Sequence, residues 1–466
     1  MSLHVEPASR RTFLKQSAAL GGAFVLGIQP GATALAADAP EVTHWVVIKP
    51  DDTVIIRIAR SELGQGSFTG LAQLVAEELE CDWSKVRPEY ADVNEHMRRK
   101  KIWKDMSTGG SRGIRDSNEY VRKGGAAARE MLVAAAAQTW KVPASECTAK
   151  NSVVTHPSGK SARYGELAAI AGTMPMPESP ALKDPKDWKI AGTSPARFDI
   201  PAKVNGSQVY AADVRLPGML HASILQTPVF GGFLKRYDDS AAKAMPGVKH
   251  VIASDEWVAV VATNWWLANK ALKTIKVEWD NGNKGNISSQ SIQAYLREGL
   301  AMQNAPVARK DGDADKALAG AHQVIEAEYT TGFMNHATME PQTATALYSA
   351  DKLEVWVGTQ NGEASAAAAA EVSGLPLEKV YIHKMHAGGG FGRRGPHQDY
   401  TKQAVKIAKA LPGTPVRLQW SREEDMRQGR YRPVSLVKLR GGLDKDGNWT
   451  GWQVKQSDQS IAITVY

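Results

Sequence analysis

Beyond residue 40 the chain alternates short apolar runs with polar breaks. His44-Trp45-Val46-Val47-Ile48 and Val54-Ile55-Ile56-Arg57-Ile58, separated by Asp51-Asp52, predict two strands joined by a turn. Gly64-Gln65-Gly66 interrupts, a helical pattern runs from Gly70 to Glu80, and Trp83-Ser84-Lys85-Val86 leads into another strand. A second glycine loop, Thr108-Gly109-Gly110, precedes an Ala-rich helix over Glu119 to Gln138. Residues 172–200 are rich in Pro, Lys and Asp and read as a linker. Between 201 and 280 short strands recur, at Met219 to Ile224, Val248 to Ile252, Val258 to Ala262 and Ile275 to Trp279, with one helix from Asn264 to Leu272. That mixture is a small α+β unit. A polar break, Asp280 to Gly285, separates it from a mixed region over 320–466 with strands at 324–330, 344–348 and 353–357.

A repeat runs through this pattern. Val54 to Ile58, Gly64-Gln65-Gly66, a helix and Trp83 to Val86 form one copy. Leu353 to Val357, Thr359-Gln360-Asn361-Gly362, an Ala-rich helix to Ser373 and Leu377-Glu378-Lys379-Val380 form the other. Each then reaches a glycine loop before a helix: Gly109-Gly110 and Gly388-Gly389-Gly390. Two Gln/Gly loops and two Gly-rich loops are thereby set to converge on one ligand.

The first 36 residues follow a different logic. Arg10-Arg11 ahead of Phe13-Leu14-Lys15, an apolar run from Ala18 to Ile28 and Ala34-Leu35-Ala36 have the order of a cleavable signal, and the paired arginines resemble a twin-arginine signal. Periplasmic export of an already folded, cofactor-loaded protein is the expectation. No run of about 20 apolar residues predicts a membrane-spanning helix, so membrane association is expected only through a partner.

Hydrophobic residues at 43% and charged residues at 23% exclude a disordered chain. The 2 cysteines, Cys81 and Cys147, exclude a disulfide scaffold, and an iron–sulfur cluster needs more thiolates than this chain holds. A net charge of +8 is dispersed. Its one dense run, Arg98 to Lys101, reads as a solvated loop without the interleaved aromatics of a nucleic-acid site, so no nucleic-acid partner is expected.

Gly388-Gly389-Gly390-Phe391-Gly392-Arg393-Arg394-Gly395 is the strongest site signal. It lies between a strand (Val380 to Lys384) and a helix (Gln398 to Leu411). Glycines let backbone N–H groups approach a ligand, a helix N-terminus favours anions, and Arg393 and Arg394 offer charged donors for phosphate. Gly390 to Gly395 also fits the G-x-G-x-x-G pattern, but Glu423 falls later than a ribose-binding acid should. His336 and Glu340 are too few for a metal site, and His383 and His386 sit at a strand end that scatters them, so no protein-ligated metal is expected.

Taken together, Glu62-Leu63-Gly64-Gln65-Gly66, Met106-Ser107-Thr108-Gly109-Gly110-Ser111, Met339-Glu340-Pro341, Thr359-Gln360 and Gly388 to Arg393 resemble the molybdopterin-binding large subunit of the xanthine dehydrogenase/aldehyde oxidase family. The branch most similar contains isoquinoline 1-oxidoreductase β subunits and bacterial membrane-associated aldehyde dehydrogenases. The resemblance implies an α+β fold: a molybdopterin-binding domain of repeated mixed α/β units with an inserted small α/β hammerhead domain. The divisions are then 1–36 signal peptide, 40–185 N-terminal molybdopterin-binding part, 201–285 hammerhead-like domain and 300–466 first repeat of the molybdopterin-binding domain. It implies that Phe391 and Gly392 sit against the molybdenum and that Gln360 hydrogen-bonds its apical oxo group. Gly64, Gln65, Gly66, Thr108, Gly109, Gly110, Ser111, Gly389, Gly390, Phe391, Gly392 and Arg393 would hold the pterin and its pyrophosphate, as the cytosine dinucleotide form, whose dithiolene grips the metal.

Hydroxylation of aldehydes or N-heteroaromatics with oxygen from water follows, with electrons passing to a small [2Fe–2S] subunit and on to a cytochrome c subunit. Gly395 stands where purine-oxidising relatives carry a substrate-binding glutamate, which disfavours a purine. The family's general-base glutamate segment has no match before Tyr466, so the chain reads as C-terminally truncated. The alternatives are an inactive cofactor-binding fragment and a Rossmann-type NAD/FAD oxidoreductase.

Overall fold

The computed structural model describes residues 39–460. The signal-like segment 1–36 lies outside them. The first unit is a four-stranded sheet in chain order: Glu41–Thr43, Val46–Ile48, β1 (Val54–Ile58) and β2 (Val86–Tyr90). The apolar run from His44 to Ile48 is not one strand, because the chain turns at His44-Trp45 and folds back. β1 runs parallel to β2, with helix α1 (Ser67–Leu79) crossing between them. Val54, Ile56 and Ile58 join the main core, whereas Ile55 packs with Val47 on the opposite face, as period-2 alternation requires. The Ala-rich helix α2 (Asn118–Trp140) packs on α1.

Residues 181–199 form a strap tied to α1 by buried carboxylates, with only a short 3₁₀ turn in them. Glu77 accepts the N–H groups of Lys189, Ile190 and Ala191 at 2.8, 2.5 and 3.0 Å and pairs with Lys183. Glu78 takes the Lys183 N–H at 2.9 Å and Arg122 Nε at 2.8 Å. Buried charge survives only when paired and hydrogen-bonded in this way. The segment that composition marks as a linker is therefore fastened along its length.

Strands β3 (Leu220–Gln226), β4 (Val248–Ser254) and β5 (Trp257–Ala262) belong to the unit read over 201–285. They do not close on themselves. They join β6 (Thr343–Tyr348), β7 (Leu353–Gly358), β8 (Val380–Met385) and β9 (Val416–Gln419) in one seven-stranded sheet of order β4-β5-β3-β9-β6-β7-β8. The junction is the parallel pair β3 and β9, through Val416 with Leu220 and Leu418 with Ala222. β5 is buried on both faces: Trp257, Ala259 and Val261 enter the main core, and Val258, Val260 and Ala262 enter a second cluster with Ala268 and Leu272.

The sequence repeat is a structural repeat. β7, helix α3 (Gly362–Ser373), a 3₁₀ turn at Leu377–Lys379 and β8 reproduce β1, α1, the 3₁₀ turn at Trp83–Lys85 and β2. Both strand pairs are parallel, starting from Val54 with Val86 and Leu353 with Val380. Helix α4 (Asp399–Lys409) lies against α3 and β6. Outside this body, Gln323–Thr331, Ser435–Leu443 and Trp449–Asp458 form a three-stranded antiparallel sheet. Among the described residues no helix is long and apolar enough to cross a membrane.

Candidate cofactor-binding cavity

The loops leaving β1 and β7 meet the two glycine-rich loops around a cavity of about 1790 Å³. Gly64, Gln65 and Gly66, Thr108 to Ser111, Gln360, and Gly390, Phe391 and Gly392 all line it. Gln360 is the junction. Its side chain, 3% exposed, donates from Nε2 to the Thr108 carbonyl at 2.7 Å. Its Oε1 accepts the N–H groups of Gly392 at 3.0 Å and Arg394 at 3.2 Å. The Gln360 backbone repeats the tie, accepting the Thr108 N–H and donating to the Arg394 carbonyl.

Two glycines are required by this closeness. A Cβ on Gly390 would stand 2.5 Å from Gln360 Oε1, and one on Gly388 would stand 2.6 Å from the Cβ of Glu340. Glu340 is buried and holds the loop from below, accepting the Gly388 N–H at 2.9 Å and the Ala212 N–H at 3.1 Å.

Ser111 and Phe391 adopt left-handed backbone angles, with φ of 57° and 54°, and Ala337 beside His336 does so at 44°. Such angles in residues with a Cβ cost energy and cluster at ligand sites. The Phe391 ring is 63% exposed, so the strained turn presents a large apolar group to the cavity. Among the described residues, the N–H groups of Gly109, Gly110 and Ser111 meet no protein acceptor. Ser111 is left-handed and the Arg112 that follows is helical, while the Arg112 N–H closes a turn onto the Gly109 carbonyl at 3.1 Å.

Three readings of the sequence need correction. Arg393 does not face the cavity. Its guanidinium is 1% exposed, pairs with Asp399 at 2.9 and 3.1 Å and lies over the Trp420 ring at 5.3 Å. Arg394 is likewise spent on the carbonyls of Gly389 and Glu340. A buried guanidinium demands internal acceptors, so neither is a phosphate donor. Gly389 contributes to the turn, not to the cavity lining.

The Gly64-Gln65-Gly66 cradle already holds an anion of the chain. The Glu62 carboxylate accepts the N–H groups of Gly64, Gly66 and Phe68 at 2.8, 3.0 and 3.0 Å, at the positive end of α1. Gln65 folds its side chain onto Ser61, Leu63 and Ser67. The Gly390–Gly395 loop also does not open a helix in the manner of a dinucleotide fingerprint. α4 starts only at Asp399, and β8 is an edge strand of the sheet.

The wall includes residues that the motifs did not mark. Phe230, Phe333 and Tyr431, with Arg112, Arg430 and Arg432, face the same space, and among the described residues no Asp or Glu lines it. His336, weighed above only as a metal ligand, lines it too. Its Nε2 is 3.6 Å from the place of a Gly392 Cβ, and burial with Arg432 and Arg393 nearby pushes its pKa down to about 4. The run Gly429-Arg430-Tyr431-Arg432 was the available signal for this part of the wall. His383 stacks on Trp356 and meets Glu354, whereas His386 packs on Phe68 and Tyr90. Among the described residues no group of three His, Cys, Asp or Glu side chains is placed to hold a metal ion.

Two family models, each described as a molybdopterin cofactor-binding domain, match residues 4–214 and 298–462. The chain belongs to this family of molybdenum hydroxylase large subunits. It is 32% identical to the membrane-bound aldehyde dehydrogenase [pyrroloquinoline-quinone] of Gluconacetobacter polyoxogenes, over 87% of this chain and 53% of the relative. It is 32% identical to the beta subunit of isoquinoline 1-oxidoreductase from Brevundimonas diminuta, over 94% of this chain and 62% of the relative. To a nicotinate dehydrogenase chain of Pseudomonas putida it is 28% identical, over 90% of this chain and 35% of the relative. The chain thus spans between a third and two thirds of the length of these relatives.

Proposed function

We propose that this chain is the molybdopterin-holding part of an oxidoreductase acting on aldehydes or N-heteroaromatic compounds. The observation that carries the reading is the convergence of both repeats on one cavity that, among the described residues, has free N–H donors, three arginines and no carboxylate on its wall. That donor set fits a phosphorylated organic cofactor which brings its own metal ligands. Bound there, the cofactor supplies two-electron redox chemistry.

The protein's share is placement. Gly109, Gly110 and Ser111 donate N–H groups to phosphate oxygens, with Arg112 adding charge. A carboxamide nitrogen carries two N–H groups, and Gln360 commits one to Thr108. The other is a fixed donor toward a group bound at the loop of Phe391 and Gly392. The Phe391 ring and the aromatic wall limit water around the reacting carbon.

The finer parts of the reading are the cytosine dinucleotide form of the cofactor and oxygen taken from water. A small [2Fe–2S] subunit and a cytochrome c as electron acceptors belong to the same reading. Twin-arginine export to the periplasm is supported by Arg10-Arg11. The domain divisions given above belong to the same reading.

Metal analysis of the protein produced with its partner subunits tests this: about one molybdenum per chain is expected from one pterin-held metal per cavity. Absence of molybdenum, with a quinone absorption spectrum in its place, would favour pyrroloquinoline quinone, the cofactor named for the Gluconacetobacter relative.

A further inference from the structure

The loop that carries Thr108, Gly109 and Gly110 is held from behind by one buried cation. Arg60 lies just past the end of β1 and is 2% exposed, so its donors are committed inside this chain. Its Nη1 donates to the Ser107 carbonyl and to Asp105 Oδ2, the latter at 2.8 Å. Its Nε donates to Ser117 Oγ at 2.9 Å, at the start of α2, and its Nη2 donates to the Tyr120 hydroxyl at 3.3 Å. Ser107 and Thr108, on the other side of this tie, line the cavity.

Asp105 stands between two arginines. Its Oδ1 accepts the Ser107 N–H at 2.7 Å, which fixes the turn, and its Oδ2 faces Arg60. The same Oδ2 is 3.9 Å from Arg112 Nη1, at the limit of an ion pair. Arg112 lines the cavity and folds back over its own loop, with Nε 3.4 Å from the Gly109 carbonyl. The side chains of Asp105 and Arg112 are 43% and 36% exposed and free to change rotamer, whereas buried Arg60 is fixed. A carboxylate offered two guanidinium groups pairs with the nearer and less hydrated one. Arg60 therefore neutralises Asp105, and Arg112 keeps its charge for the cavity.

We propose that Arg60 is a positioning residue for a diphosphate-bearing ligand: by holding the Asp105 carboxylate it keeps that carboxylate off Arg112, the cation that adjoins Gly109, Gly110 and Ser111. The diphosphate in this statement rests on the molybdopterin reading. Without Arg60, Asp105 has Arg112 within reach and turns onto it, so the loop presents a neutral pair to an anion. Without charge on Asp105 the competition disappears, because an amide does not pair with a guanidinium as a carboxylate does.

The test reads binding of inorganic pyrophosphate by calorimetry at low ionic strength, on the full chain produced without cofactor. Asp105→Asn keeps the acceptor for the Ser107 N–H and removes the charge. In the parent chain it is expected to raise affinity by at most about threefold, the scale of a partly exposed ion pair. Arg60→Gln is expected to weaken binding, and adding Asp105→Asn to it should recover about tenfold, as coupled neighbours do. With Arg112→Met both gains should vanish. Tm is measured on every variant. Where Arg60→Gln does not fold, Arg60→Lys, which keeps the charge at a shorter reach, takes its place in the cycle with a smaller coupling of the same sign.

An equal gain in both backgrounds, a loss on Asp105→Asn, or gains that survive Arg112→Met overturn the positioning role and leave the phosphate cradle standing. No pyrophosphate binding by the parent or any variant overturns both. The expected coupling, in a protein that holds no molybdenum when produced with its partner subunits, upholds the positioning role and overturns the molybdopterin reading.

Discussion

At residue scale one amide joins two loops that are far apart in sequence. Gln360 satisfies the Thr108 carbonyl and two N–H groups beyond Phe391 from inside the protein, where water cannot replace it. Gln360→Leu keeps the bulk but leaves these partners unpaired, at a cost of about 2–3 kcal/mol. A lowered Tm together with reduced molybdenum per chain is the expected result. A lowered Tm with full metal content would make Gln360 structural only. Glu62 and Arg393 show why motif reading stops at this scale. Both stand inside recognisable motifs, and both satisfy the chain itself, Glu62 at the start of α1 and Arg393 against Asp399. The clues were local: an acid just before a helix start, and an aspartate six residues beyond an arginine.

At the scale of elements, the strap over residues 181–199 matters for the site it frames. Near its end Arg197 donates to Glu62 Oε1 at 3.3 Å and to the Gly64 carbonyl at 3.1 Å, and so reaches the Gly64–Gly66 loop. Its hold on α1 depends on Glu77. Removing that carboxylate in Glu77→Ala strands three N–H groups and loosens Lys183, at about 3 kcal/mol. Hydrogen exchange should then accelerate at Lys189 to Ala191 before it does in α1 itself. Unchanged protection there would show that packing, not the carboxylate, holds the strap. Composition predicted a linker here because Pro removes a backbone donor and Asp favours turns, and the structure is irregular. What composition lacks is the partner, since Glu77 lies more than a hundred residues away.

For the whole molecule, acid is the natural probe. His44, His221, His336 and His386 each have a pKa pushed from 6.5 down to about 4, first of all by burial. A group held neutral in the fold binds its proton more readily once unfolded, so unfolding gains protons between those two values. Stability is therefore expected to fall as pH drops from 6.5 toward 4. Glu363 adds a second window: its hydrogen bond to His96, and then Lys101, hold it down to about 2 against 4.5 when free. Its contribution is full above 4.5 and is lost as pH falls toward 2. Urea midpoints measured from pH 8 to 3 check the first window, and Glu363→Gln should flatten only the second. A midpoint independent of pH between 6.5 and 4 would refute the histidine account.

The chain alone determined most of the elements. β1, α2, α3, β8 and the strand–helix repeat are visible because apolar spacing and glycine placement are local signals. It also determined which loops would meet, through the matching of Gln65 with Gln360. Only the tertiary structure decided that β3, β4 and β5 continue into the sheet of β6 to β9, because pairing such as Leu220 with Val416 is set by long-range burial. It alone decided which charged groups turn inward, as Arg394 does toward Glu340, and which stay in the cavity, as Arg432 does. The direction of a side chain depends on the counter-charge it finds across the fold, and the linear order of residues does not contain that distance.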